Sequence, residues 1–296
     1  MPPAVEWSHS GSRLILLLSS PRSGSTLLRV VLGGHSRVVA PAELFLLLFP
    51  DFDTWRRERP LAIRSLVEIF ELIGIPRPRA DIEAACRGKP IEEVYHWLLA
   101  SLPADTALLD KTPAYATDPA VLERSRAWDP FYIWLVRHPL GSIDSFIRLK
   151  QQELFWPFGL ARRLKDGLQA RLFGGMSRRA RRREDLWVRQ NRTIRDFLAT
   201  VPPERKHALR FEDLLYNPAE TLGMLCGQMG LVPEEGMLER AGRQIVRGGL
   251  GDPNFHRHDG ISTAPALNWR TRYDESILSA RARDLVREIW RRSRAD

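Results

Sequence analysis

The sequence predicts an α/β fold, a central parallel sheet flanked by helices on both faces. Three observations predict it. Short apolar runs recur along the chain, helical patterns separate them, and each run stops at a polar cluster. A strand buried on both faces of a parallel sheet reads as a near-continuous apolar run. Strands that alternate with helices need the crossover connections of such a sheet.

The first run is Arg13-Leu14-Ile15-Leu16-Leu17-Leu18, stopped by Ser19-Ser20-Pro21, and a helix start follows over Thr26 to Leu32. Helical patterns cover Pro60 to Leu72 and Ile91 to Leu102. A second strand is expected at Thr106 to Leu109, ending at Asp110-Lys111-Thr112-Pro113. The third, Phe131 to Val136, ends at Arg137-His138-Pro139. A helix is expected over Ser142 to Leu149, another over Glu184 to Thr200, and a fourth strand at His207 to Phe211. Ligands of open parallel sheets bind beyond the carboxyl ends of the strands. The polar clusters fall at those ends. Residues 1–296 are expected to form one domain, with segments 45–102 and 150–183 as helical lids over the bound acceptor.

Composition narrows the function classes. The chain has 296 residues, 44% apolar and 27% charged, and its net charge is +9 from 45 basic and 36 acidic residues. This is a globular composition. No stretch approaches ~18 consecutive apolar residues, so no membrane span is expected. Met1-Pro2-Pro3 does not open a secretory signal. Cys86 and Cys226 make neither a disulfide framework nor a zinc site and are expected to pack inside helices. A reducing cytoplasm is the expected setting. The basic surplus favours anionic partners. It is concentrated between Arg162 and Arg192, with eleven basic and three acidic residues, around Arg178-Arg179-Ala180-Arg181-Arg182-Arg183. By itself such a run is a solvated helix face or a loop.

Three clusters carry chemistry. In Ser20-Pro21-Arg22-Ser23-Gly24-Ser25-Thr26 a strand turns through small residues into a helix. Backbone N–H groups and the helix N-terminus there suit an anion, and Ser25 and Thr26 add hydroxyls. A P-loop kinase or ATPase would have G-x-x-x-x-G-K-[ST]. Here Ser19 replaces the first glycine and Ser25 the lysine, so the loop is P-loop-like without the ATP machinery, and Arg22 supplies a permanent charge. The second cluster places Arg137 at a strand end and Ser145 two helical turns into the next helix, where both can face one phosphate. The third is Arg247-Gly248-Gly249-Leu250-Gly251-Asp252, a glycine loop able to wrap a phosphate, followed by His256 and His258.

Together these segments resemble the sulfotransferases that use 3′-phosphoadenosine 5′-phosphosulfate (PAPS). The first is similar to that family's 5′-phosphosulfate loop, Arg22 to Thr26. Arg137 and Ser145 resemble its 3′-phosphate pair. Arg247, Gly248 and Gly249 resemble its R-K-G-x-x-G-D segment, with Gly248 in place of the lysine. Pro41-Ala42-Glu43-Leu44, Asp110-Lys111-Thr112-Pro113-Ala114-Tyr115 and Gly251-Asp252-Pro253-Asn254-Phe255 are further similar to sulfotransferase domains of olefin-forming polyketide synthases, the curacin type. The resemblance spans residues 13 to 270. It implies transfer of a sulfuryl group from PAPS to a hydroxyl, release of adenosine 3′,5′-bisphosphate (PAP), and no metal requirement. In the polyketide subgroup the acceptor is a β-hydroxyacyl chain on an acyl carrier protein; the alternative is a free natural-product, lipid or carbohydrate hydroxyl.

The acceptor alcohol needs a base and the leaving phosphate needs positive charge. His258 is the first candidate base, with an ordinary pKa near ~6.5; His256 and Glu43 are the others. A Glu43 carboxylate set among apolar neighbours would be a stronger base. Lys111 would stabilise charge on the bridging oxygen, or else pair with Asp110. Arg22 would steady the leaving phosphate. Arg210-Phe211-Glu212-Asp213-Leu214 reads as a structural segment near the adenine. Trp187 is expected in the core, with Asn191 facing the substrate cleft. The arginine run is a candidate docking surface for an acidic carrier protein. Two rival classes remain: a P-loop kinase with Asp110 on Mg²⁺, which lacks its lysine, and a nucleic-acid binder, which lacks interleaved aromatics.

Overall fold

The computed structural model describes residues 13–153, 176–238 and 264–292. In chain order, their strands and α-helices are β1 (Leu14–Ser19), α1 (Ser25–Leu32), β2 (Val38–Val39), α2 (Phe52–Glu58), α3 (Ile63–Leu72), α4 (Arg79–Cys86) and α5 (Ile91–Ser101). Then come β3 (Ala107–Asp110), α6 (Pro119–Ser125), β4 (Phe131–Val136), α7 (Pro139–Glu153), α8 (Arg178–Ala199) and β5 (Lys206–Arg210). The last are α9 (Phe211–Tyr216), α10 (Pro218–Gln228), α11 (Ala264–Leu267) and α12 (Ala280–Arg292).

The five strands form one sheet in the order β2-β3-β1-β4-β5, and every pairing is parallel. β1 is therefore central, and all six of its residues are buried. Because strand side chains alternate between faces, Leu14, Leu16 and Leu18 enter one core while Ile15 and Leu17 enter the other. β4 divides likewise, with Tyr132, Trp134 and Val136 on the first face and Phe131, Ile133 and Leu135 on the second. The first core is the larger, holding Trp55, Phe70 and Tyr95 from α2, α3 and α5 and Trp187 from α8. α1, α9 and α10 cover the second. Segment 45–102 is thus largely helical and extends the core.

The expected elements shift at their ends for identifiable reasons. α7 starts at Pro139 rather than Ser142, since proline at a first helical position gives up no hydrogen bond. α8 starts at Arg178 rather than Glu184, because Ser177 Oγ accepts from Ala180 N at 3.3 Å and caps the helix. The arginine run is therefore the first turns of α8. β2 was not expected; its two valines carry no periodicity, and only pairing with β3 makes them a strand. Cys86 and Cys226 are buried free thiols, pushed up to about 11 by burial. Among the described residues no helix is long and apolar enough to cross a membrane.

Candidate active site

Two polar assemblies stand at the carboxyl end of the sheet, one on each side of β1. On the β4–β5 side the loop after β1 turns sharply into α1. Arg22 sits at φ +70° and Gly24 at φ +87°. A non-glycine residue in the left-handed region is strained, and such strain concentrates at functional sites. Ser20 and Ser23 bond to each other through their hydroxyls at 2.9 Å, which directs Ser23 inward. Hydrogen bonding within α1 begins with Leu28 N to Gly24 O, at 3.1 Å. The N–H groups of Ser25, Thr26 and Leu27 thus lie outside the helical ladder and are donors for an anion.

The strained turn aims the Arg22 side chain at α7. Its Nε and Nη2 donate to Ser145 Oγ at 3.2 and 3.1 Å. Arg137, from the end of β4, donates from Nη1 to the Arg22 carbonyl at 3.1 Å. The Arg137 guanidinium lies 4.5 Å over the Phe211 ring. Trp187 Nε1 donates to its carbonyl at 3.0 Å, and the next amide, His138 N, donates to Glu212 Oε1 at 3.0 Å. Gly141 makes room, since a Cβ there would lie 2.9 Å from Arg137 Nε. Burial pulls the Arg137 pKa down to about 10; Glu212 opposes this, while Arg148 and Arg22 add to it. A buried guanidinium with a second arginine beside it favours an anion.

On the β2–β3 side, Lys111 Nζ donates to Glu43 Oε1 at 2.6 Å. The lysine side chain is 1% exposed and the carboxylate 21%. Burial pushes the Lys111 ammonium down from its ordinary pKa, and Glu43 opposes that. The loop carrying Glu43 is pinned at three points. Glu68 Oε2 accepts from Ala42 N at 2.8 Å, Ser65 Oγ donates to the Glu43 carbonyl at 3.1 Å, and Thr112 Oγ1 accepts from Phe45 N at 3.2 Å. Asp110 is buried and accepts from the hydroxyls of Tyr95, Tyr115 and Thr112. Burial lifts it to about 6 despite those donors.

The structure brings Arg22, Arg137 and Ser145 together and joins Glu43 to Lys111. The alternative pairing of Lys111 with Asp110 is not adopted, because three hydroxyls occupy that carboxylate. Nor does Glu43 stand among apolar groups alone; it faces an ammonium. Asn191 does not face a cleft. It is fully buried, with Oδ1 accepting from Trp134 Nε1 at 3.1 Å and Nδ2 donating to the Trp187 carbonyl at 2.8 Å. Arg247, Gly248, Gly249, His256 and His258 lie outside the described residues. Glu68 and the Phe211 contact with the loop were not foreseen. A lone glutamate in a helix carries no local signal, and Phe211 is placed only by the sheet order.

The sequence pattern of the sulfotransferase family matches residues 15–235. This chain belongs to the sulfotransferase family. It is similar to the sulfotransferase domain from the curacin biosynthetic pathway at 31% identity, with a TM-score of 0.74, covering 93% of this chain and 96% of that one. It is also similar to the sulfotransferase domain from the Synechococcus PCC 7002 olefin synthase at 27% identity and a TM-score of 0.73, covering 93% of each chain. Comparison with curated proteins gives no match.

In this sulfotransferase, His138 ties the C-terminal segment to Arg137. Its ring stacks on Trp269 at 4.2 Å and meets Trp290 edge-on at 5.9 Å. Burial, with Arg270 and Arg137, pushes the imidazole down to about 3. Glu275 lies 3.4 Å from Nε2, but it is 59% exposed and water screens its pull. A depressed histidine is neutral when folded, whereas the unfolded chain binds its proton below the ordinary value. Stability is therefore full above pH ~6.5 and falls as pH drops toward 3. His138→Phe keeps the stack and removes the proton. Urea unfolding at pH 7 and pH 5 is expected to show the wild type losing up to about 2 kcal/mol more than the variant. Equal losses would mean that His138 takes up its proton alike in the folded and unfolded chains.

Proposed function

We propose that this sulfotransferase moves a sulfuryl group from PAPS to the hydroxyl of a β-hydroxyacyl chain on an acyl carrier protein, in a polyketide-type pathway. One observation carries the donor assignment. The loop after β1 and the end of β4 converge so that Arg22 holds Ser145 and Arg137 holds the Arg22 carbonyl, an anion cradle without a P-loop lysine. The carrier-bound acceptor is supported by likeness to two domains of polyketide and olefin pathways across 93% of this chain.

The residues present fit the donor. The α1 N-terminus and Arg22 suit its 5′ anion, and Arg137 and Ser145 suit its 3′-phosphate. When bound, PAPS supplies the sulfuryl group, and PAP is left after the S–O bond to phosphate breaks. Lys111 holds a positive charge where the bridging oxygen gathers negative charge. Glu43 opposes the burial that disfavours that charge and, like His258 and His256, is a candidate to take the alcohol proton. Segment 45–102 covers the acceptor in this reading; of the expected lid 150–183, residues 154–175 lie outside the described residues. Arg178, Arg179 and Arg182 are exposed on α8, beside a groove of about 380 Å³ lined by Met176, Arg178, Arg181 and Arg182. Such a face suits an acidic carrier protein.

Mass spectrometry tests the assignment, using PAPS with carrier-tethered β-hydroxyacyl chains and with free hydroxyl compounds. One added sulfuryl mass on the carrier-bound chain is the expected result. Transfer only to free hydroxyls would overturn the carrier assignment. No transfer, with ATP·Mg²⁺ bound more tightly than PAP, would overturn the donor.

A further inference from the structure

Within the arginine run, Arg183 behaves unlike its neighbours. Arg178, Arg179 and Arg182 are exposed, and Arg181 pairs with Glu184 at 2.8 Å. Arg183 is half-buried, its guanidinium carbon 3.5 Å over the ring of Phe146 on α7. Phe146 is the neighbour of Ser145, whose hydroxyl receives both bonds from Arg22. Among the described residues no carboxylate pairs with Arg183. Burial pulls its pKa down and the Arg22 charge adds to this, so the two guanidinium groups repel. Two like charges held together beside an aromatic surface form a site for an anion.

We infer that Arg183 is a further donor-binding residue, which joins Arg137 and the Arg22-held Ser145 in a site for the phosphomonoester at the 3′-position of the nucleotide. The inference rests on the PAPS reading above. Placement favours the 3′-phosphate over the reacting end. Arg183 meets the cradle at α7, which follows β4, whereas Lys111 and Glu43 stand across β1 at the ends of β3 and β2. A phosphomonoester is close to a dianion at neutral pH, and planar guanidinium groups bind it with paired hydrogen bonds. Stacking on Phe146 fixes the plane of the guanidinium before the ligand arrives.

Calorimetry with PAP and with adenosine 5′-monophosphate, which lacks the 3′-phosphate, tests this. Arg183→Gln is expected to weaken PAP about 10- to 100-fold and to change the monophosphate less than about twofold. Arg183→Lys, which keeps the charge and loses the planar stack, is expected to fall between Arg183→Gln and the wild type. Arg189→Gln, an exposed change on the same helix, is expected to bind both nucleotides as the wild type does. If Arg183→Gln unfolds, Phe146→Leu serves in its place, with a smaller but selective loss of PAP affinity. PAP affinity within about twofold of wild type in both Arg183→Gln and Arg183→Lys overturns the inference, as does equal loss for both nucleotides. A wild type that binds the monophosphate and gains nothing from the 3′-phosphate overturns the donor reading itself, and this assignment with it.

Discussion

Lys111→Met is expected to lower kcat by about two to three orders of magnitude while PAP affinity stays within a few-fold of wild type. The reason lies in where the charge sits. Lys111 follows β3, one strand from the phosphate loop, and its side chain is 1% exposed. Little water reaches the ammonium, so its field on a developing oxyanion is weakly screened. Methionine keeps the length and apolar stem and removes only the charge. Glu43 is the group left unpaired, and at 21% exposed it can take up water, so the fold survives the change. Removing one partner of a fully buried pair costs about 3–5 kcal/mol; here the remaining carboxylate is partly exposed and the loss is smaller. Lys111→Arg is not expected to restore turnover, since a planar guanidinium is broader than an ammonium and the side chain it replaces is buried. Single-turnover kinetics with saturating donor reads the effect directly. A Lys111→Met enzyme turning over within threefold of wild type would remove the lysine from the reaction.

Gly24→Ala is expected to abolish measurable PAP binding, here for lack of space. A Cβ on Gly24 would lie 2.1 Å from Cδ2 and 2.2 Å from Cε2 of Phe211. The residue also sits at φ +87°, a left-handed conformation that costs an L-residue about 1–2 kcal/mol. Phe211 cannot retreat freely, because the Arg137 guanidinium lies 4.5 Å over its ring. The loop must move instead, and with it the N–H groups that begin α1. The double variant Gly24→Ala/Phe211→Ala separates the two causes. It relieves the contact and keeps the backbone strain, so it is expected to regain part of the stability lost by Gly24→Ala. Strict additivity of the two single changes in thermal unfolding would show that the residues do not touch.

The fold was legible in the sequence wherever a strand is buried on both faces. Phe131–Val136 matches the expected third strand end to end, and the β1, β3 and β5 strands fall within a residue or so of expectation. Continuous apolar residues with polar stops are a local signal. β2 gave none, since two valines become a strand only when a neighbouring chain bonds to them. Asn191 misled for a related reason. A polar residue on a helix face suggests a cleft, but the chain that covers it is distant in sequence, and Trp134 uses its oxygen.

The sequence by itself marked a candidate anion site, because a strand-loop-helix with an arginine and no lysine is contiguous in the chain, and the family resemblance of its motifs pointed to sulfuryl transfer. It also determined the parallel sheet, because buried strands must be apolar throughout. Only the tertiary structure decided which charges meet. It gave Lys111 to Glu43 and left Asp110 to three hydroxyls. It set Arg137 against the Arg22 carbonyl and turned Arg183 away from its exposed neighbours. Electrostatic pairing depends on distance and burial, and both are set by sheet order and helix packing between residues that the chain holds far apart.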